Sequence, residues 1–420
     1  MNINDSLANI GQAAKRCHMC RDKNLQPVLD LGFHPPSDAF LRPEHLSIPE
    51  VRYPLRLVSC QACGLLQIDY LVKPEILYQR DYPYESSTTA TGRAHYHKMA
   101  AEICEQFSLP EKSLAIDIGS NVGVLLEGFQ KKGMNILGVD PAETAGRKAI
   151  ANGIPTIIDF FGEKLAYKIV KKYGKARIIT GTNVFAHILD LDGVVRGMKV
   201  LLAPKGVISI EAPYAVDLVK NLEYDTIYHE HIGYLSVRPM ARYFKRFGLE
   251  LFDVKKSKIH GGTLRYYVGR KGAYKVSPAI AEHIKLEEKF GLYSLKELRK
   301  FATKVGEQRL ALVELLGKLK KEGKTVVGIS APAKGNTLLN YCNLDGLYLD
   351  FLTEKTQIKI GRHSPGMHIP VRSDQEVLDV KPDYALILAW NFAEEIMKNL
   401  SEFKKAGGKF IIPIPKPKII

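Results

Sequence analysis

The stretch DTIYHEHIGYLS (residues 225–236) places Asp225, Tyr228, His229, Glu230 and His231 within seven positions. Three readings fit such a cluster. As a metal site it has a weak frame. Histidines two positions apart do not share a helical face. In a strand, His229 and His231 share a face while Glu230 points away, and no third ligand is identifiable. As a proton-transfer site it has the right parts. A histidine takes a proton near neutral pH, a carboxylate beside it orients it and raises its basicity, and a tyrosine holds an enolate oxygen. The third reading is a polar loop without chemistry.

Four of the six cysteines form two pairs, Cys17/Cys20 and Cys60/Cys63. Two such knuckles supply four thiolates to one tetrahedral Zn²⁺. With all four positions filled by sulfur, none stays open for water, so the zinc is expected to be structural. His18, inside the first knuckle, competes as a ligand only in principle. Cys104 and Cys342 are isolated and read as small buried hydrophobes.

A third motif, DIGSNVG (117–123), follows an apolar strand. Gly119 and Gly123 let the backbone turn sharply and approach a ligand. Asp140 ends the next strand, where a carboxylate meets ribose hydroxyls in Rossmann-like folds. Such a layout suits a dinucleotide or S-adenosylmethionine. The loop is Gly-x-x-x-Gly and lacks the middle glycine that lets a pyrophosphate pass. Asp117, just before the turn, offers a carboxylate to the ammonium of an amino-acid tail. Together these favour S-adenosylmethionine, with Asp117, Gly119, Asn121, Gly123 and Asp140 around it. Asp159 and Phe160, ending the third strand, are expected at the adenine. Asn183 and His187, after the fourth strand, are expected near the methyl donor.

These motifs need a scaffold, and the sequence divides into three stretches. Residues 1–85 are rich in Pro and Cys, with two strands inside PLRLVSCQACGLLQIDYLV joined by a knuckle. Residues 86–275 alternate strand and helix, which means a mostly parallel, doubly wound sheet. Its last two strands, 250–256 and 263–269, are expected to pair like a hairpin. Residues 276–420 open with long helices after Ser277-Pro278, a cap and a first helical position. Strands are then expected at 325–330, 347–352, 384–390 and 408–414. The predicted class is α/β: an N-terminal zinc-binding module, a central Rossmann-like sheet and a second Rossmann-like α/β domain. The cluster at 225–236 follows the fifth strand and is expected over the same crevice as the glycine loop.

Composition is ordinary for a soluble protein, with 45% hydrophobic and 25% charged residues. No apolar run reaches the ~18 residues of a membrane span. The first residues, MNINDSLANIGQAAKRC, lack the apolar core of a secretory signal, so a cytoplasmic location is expected. The net charge of +15 favours acidic ligands such as nucleotide phosphates or nucleic acid. Its plainer reading is lysine at helix ends, as in KLKKEGK (318–324).

The ordered motifs resemble a known family. LDLGFHPPSDAFL (29–41), DYPYESS (81–87), IDIGSNVG, GVDPA, TNVFAHI, YHEHIGYLS, HGGTLR (260–265), APAKGNTLLNY (331–341), PGMHIPV (365–371), PDYALILAWNFAEEI (382–396) and GGKFIIPIP (407–415) run nearly end to end. The chain resembles the S-adenosylmethionine-dependent C-methyltransferases that act at C3 of nucleotide-linked 4-keto-6-deoxy sugars. The resemblance implies a class I methyltransferase sheet in the middle and structural zinc on the four cysteines. It implies catalytic groups at Tyr82, His187, Tyr228, Glu230 and His231, with His231 or, as the alternative, Tyr228 as the base, Glu230 orienting it, and Tyr82 or His187 on the enolate oxygen. It also implies a nucleotide-sugar site in the C-terminal domain, mapped onto Lys334, Asn336, Arg362, His363, Trp390 and Asn391. The chain departs from the family pattern at Val122, usually acidic, and at Pro332 in GISAPAKGN. A monomer or homodimer is expected. The alternatives are methylation of a sugar oxygen or of nucleic acid, the latter loosely suggested by EAPY (211–214), and a binding module without catalysis.

Overall fold

The computed structural model describes residues 11–77, 90–257 and 262–420. The expected catalytic Tyr82 lies outside these, as do DYPYESS and the start of HGGTLR. In the N-terminal stretch, β1 (Gly11–Ala13) pairs with β5 (Tyr70–Val72). Strands β2 (Leu25–His34), β3 (Tyr53–Cys60) and β4 (Leu66–Ile68) form an antiparallel sheet. The sequence reading gave no strand at 25–34. The reason is physical: β2 holds a proline, and its register against β3 shifts twice. Those irregularities blur the period-two pattern that marks a strand.

The central sheet holds β6 (Leu114–Ile118), β7 (Asn135–Asp140), β8 (Thr156–Ile158), β9 (Ala176–Thr182) and β10 (Leu202–Pro213), all parallel. All five residues of β6 are buried, as a strand covered on both faces by helices requires. The chain then leaves this sheet. Its next strand, β11 (Gly233–Tyr234), pairs antiparallel with β4. Only afterwards do β12 (Leu249–Ser257) and β13 (Thr263–Arg270) complete the central sheet as the expected antiparallel pair. The order is β12-β13-β10-β9-β6-β7-β8, with β13 antiparallel to β10. Strand order reverses between β6 and β9, and in open α/β sheets the crevice beyond the carboxyl ends at such a reversal is where ligands bind.

Helices Pro278–Phe290 and Leu295–Lys321 follow, with Ser277 and Ser294 accepting from backbone N–H groups at their starts. The last sheet has the order β16-β15-β14-β17-β18-β19. Its strands are β14 (Val326–Ile329), β15 (Leu352–Glu354), β16 (Val371–Ser373), β17 (Tyr384–Ile387), β18 (Lys409–Ile412) and β19 (Lys418–Ile419). All but β19 run parallel. A second reversal falls between β14 and β17. The strand expected at 347–352 is displaced to 352–354, because Tyr348 and Leu349 both donate backbone N–H groups to the Asp345 carbonyl and close a turn. No described helix is long and apolar enough to cross a membrane.

Candidate active site

The glycine loop lies at the first reversal. Gly119 follows β6 with φ +69°, and a Cβ there would come within 2.3 Å of the Val184 side chain. Only glycine fits, so the loop packs directly on the segment leaving β9. Asn121 and Asn183 also take positive φ, a conformation asparagine tolerates better than most. Asp140 closes the loop: its carboxylate accepts from the N–H of Asn121 at 2.7 Å and of Ala142 at 2.8 Å. Asp117 is buried and accepts from the Thr180 hydroxyl at 2.7 Å. Burial, with Asp140 nearby, pushes its carboxyl up to about 7. Asp159 and Phe160 stand exposed beyond β8, Phe160 at 64%.

The 225–236 segment is stitched to this crevice. The N–H of Ile232 donates to the Ala186 carbonyl at 2.7 Å, beside His187. The His231 ring lies 4.7 Å from that of His187, edge to face, and 4.0 Å from that of Tyr228. His231 Nδ1 lies 2.7 Å from the Thr226 carbonyl oxygen. A carbonyl only accepts, so Nδ1 carries the proton and Nε2 keeps its lone pair. No described residue bonds Nε2. Burial pushes His231 down to about 4. Burial, with His231 beside it, also holds His187 below the usual histidine range. Both rings are therefore neutral at pH 7, as a base requires.

His229 and Glu230 turn elsewhere. His229 Nε2 donates to the Pro54 carbonyl of β3 at 3.2 Å, and its ring packs on Tyr53. The two-histidine metal reading therefore fails: the rings face different partners. Glu230 is 2% exposed, and neither carboxyl oxygen has a partner among the described residues. Burial, reinforced by Asp38, pushes its carboxyl up to about 8. The expectation that Glu230 orients the base is corrected here, since Thr226 makes that hydrogen bond. Sequence reasoning had no signal for a backbone carbonyl five residues upstream.

At the second reversal three of the expected substrate residues meet. Lys334 Nζ donates to the Asn391 side chain and lies 4.2 Å from the centre of the Trp390 ring. Trp390 Nε1 donates to Asp225 at 2.7 Å. The others are separate. Asn336, two positions from Lys334 and so on another helix face, donates to the Ser37 carbonyl at 2.7 Å. His363 pairs through its backbone with Leu41, and Arg362 precedes it. Lys359, which the sequence reading missed, binds Asp38 at 3.0 Å in the same region.

The four expected zinc cysteines converge, with sulfurs all within 4.8 Å of one another. His18 Nε2 donates instead to the Ile188 carbonyl at 2.8 Å, outside the cluster.

Three family models match this chain: "Putative zinc binding domain" over residues 17–78, "Methyltransferase domain" over 93–254 and "C-methyltransferase C-terminal domain" over 258–415. C-methyltransferase NovU of Streptomyces niveus is 34% identical over 415 residues, covering 99% of each chain. This chain belongs to that C-methyltransferase family. Solved structures resemble it weakly. An S-adenosylmethionine-dependent methyltransferase of Clostridium acetobutylicum is 15% identical with TM-score 0.33, covering 42% of this chain and 92% of its own. Magnesium protoporphyrin IX methyltransferase of Synechocystis PCC 6803 is 12% identical with TM-score 0.32, covering 42% and 79%.

As a C-methyltransferase the protein uses S-adenosylmethionine and carries zinc, and its residues fit both. The Cys17–Cys63 and Cys20–Cys60 sulfurs stand 3.6 and 3.5 Å apart, close to the edge of a tetrahedron with ~2.3 Å metal–sulfur bonds. At the first reversal, the Asn183 amide oxygen and Ser120 hydroxyl are buried without described partners, as expected where a polar ligand completes the site.

Proposed function

We propose that this C-methyltransferase methylates C3 of a nucleotide-linked 4-keto-deoxy sugar, with His231 as the base. The observation that carries this reading is the Nδ1–H bond of His231 to the Thr226 carbonyl. It leaves a neutral Nε2 lone pair in the segment that touches both sheet reversals. A C3 proton is acidic only because the neighbouring ketone takes up the charge, so base and oxyanion partner must act together. His231 Nε2 takes that proton. Tyr228 and His187, whose rings contact it, are the described groups placed to steady the C4 oxygen, with Tyr82 completing the set. When bound at the first reversal, S-adenosylmethionine supplies the electrophilic methyl group.

Gly119, Asn121, Gly123, Asp140 and Asn183 would hold the donor, with Asp117 below the turn and Asp159 and Phe160 toward the adenine. The nucleotide diphosphate is assigned to the second reversal, where Lys334 stands near a helix start, an arrangement that favours phosphate. Donor and acceptor held in two sites that face each other would bring the reacting carbons to the ~3 Å of a near-attack geometry. Tyr228 is the less favoured base, since its phenol would have to lose a proton first. The test is direct. Full-length enzyme, S-adenosylmethionine and a panel of nucleotide-linked 4-keto-6-deoxyhexoses should give a product with a new methyl on C3 by NMR. A methyl on oxygen, or no product from any sugar, would refute the proposal.

A further inference from the structure

Thr226 holds the proposed base, so what holds Thr226 matters. The turn Tyr224–Thr226 contains no long element of its own. It is fixed from the C-terminal half at two points. Tyr224 is fully buried, and its hydroxyl donates to Gln308 at 2.6 Å; Gln308 in turn donates to the Pro413 carbonyl at 2.8 Å. Asp225, also fully buried, accepts from Trp390 Nε1 at 2.7 Å. A buried carboxylate left without such a donor is costly, so Asp225 keeps to the indole. Thr226 is the next residue, and its carbonyl accepts the hydrogen bond from His231 Nδ1–H.

We infer that Trp390 and Asp225 are positioning residues: the indole N–H fixes Asp225, and through it the Thr226 carbonyl that sets the tautomer of His231. This inference rests on His231 being the base and gives Trp390 a role beyond contact with substrate. Lys334 lies over the same indole ring, so a phosphate held by Lys334 would lie next to the group that holds the proposed base in register. Binding of the nucleotide end is thereby coupled to the proton-transfer end through one side chain.

The test uses the full-length zinc protein labelled with ¹⁵N-histidine. The His231 signals are assigned by their loss in His231→Asn. In wild type they should show a single Nδ1–H tautomer. Trp390→Phe keeps an aromatic ring under Lys334 but removes the donor. It should give a mixture of tautomers and a kcat lowered on the order of 10-fold, with KM for the sugar nucleotide within about twofold. Asp225→Ala should behave alike. Asp225→Asn, whose amide oxygen still accepts from the indole, should restore the single tautomer. Wild-type S-adenosylmethionine affinity and zinc content in each variant show that the fold is intact. An unchanged tautomer and kcat in Trp390→Phe, with KM alone raised, would overturn the inference and leave Trp390 a substrate contact. If wild type methylates no 4-keto sugar, the functional proposal falls by itself, and the tautomer spectra still decide the positioning claim.

Discussion

His231 is set up by two local facts, a carbonyl at Nδ1 and burial of the ring. With burial pushing it down to about 4, it stays unprotonated across the neutral range. A base works only when neutral, so activity should be lost as pH falls through the folded value. We expect kcat/KM to lack a histidine limb between pH 6 and 7 and to fall only nearer pH 4, in a pH–rate profile of the sugar reaction. His231→Asn should lower kcat by about 10²–10⁴-fold while calorimetric titration gives wild-type S-adenosylmethionine affinity; unchanged turnover would remove the assignment. Glu230 makes a different prediction. Its carboxyl is pushed up to about 8 from 4.5, so the folded state holds a proton that the unfolded chain has released. Stability from this group is full below the unfolded value and falls as pH rises from 4.5 to 8. Glu230→Gln, which mimics the protonated form, should raise Tm at pH 8 by about 2 °C or more relative to wild type, with little change at pH 4.5. The sequence showed that residues 228–231 could do acid–base chemistry. It did not show which does what, because the partners are a nearby carbonyl and residues such as Pro54 and Asp38, far away in the chain.

The two strand-order reversals do most of the positioning. In each sheet the loop after the first strand meets the segment after the fourth: Gly119 against Val184, and Lys334 against Trp390. The strands leading into these junctions were legible early, since apolar runs such as LAIDI and VVGI and the glycine punctuation mark them. Trp390, however, was read inside a strand at 384–390 that ends at Ile387, and Lys334 and Trp390 were singled out only by the family resemblance. Strands at 25–34 and 352–354 were not placed correctly, because bulges in one and an Asp345 turn before the other break local periodicity. The segment's departure to form β11 had no sequence signal at all; two residues are too few to show a pattern. Asp140 is the element-scale test. It ends β7 at the edge of the crevice and pins the loop through Asn121 and Ala142, so Asp140→Ala should weaken S-adenosylmethionine binding by about 10-fold or more. A calorimetric titration matching wild type would reject its part in the cofactor site.

Across the whole molecule, all three stretches of the chain converge on one short segment. The zinc-bearing sheet pairs β4 with β11, just after His231. The central sheet holds Ile232 through Ala186, and the C-terminal half holds Tyr224 and Asp225. The zinc knuckles are themselves gripped: Arg238, Arg242 and Arg246 donate to the carbonyls of Cys63, Ala62 and Met19. Metal analysis should give about one zinc per chain. After chelation, hydrogen exchange should accelerate at residues 232–235 while the β6 and β9 amides stay protected, and turnover should fall further than S-adenosylmethionine affinity. Equal loss of protection in both regions would show a general unfolding instead. The cysteine spacing announced the metal, yet its connection to the proposed base emerges only from the tertiary pairing.

The most direct measurement is exchange of the sugar's C3 proton in deuterated water, followed by NMR with S-adenosylhomocysteine in place of the methyl donor. Wild-type enzyme should incorporate deuterium at C3 of a nucleotide-linked 4-keto-6-deoxyhexose, and His231→Asn should not. No exchange by wild type, or equal exchange by both, would contradict a carbon acid deprotonated by His231.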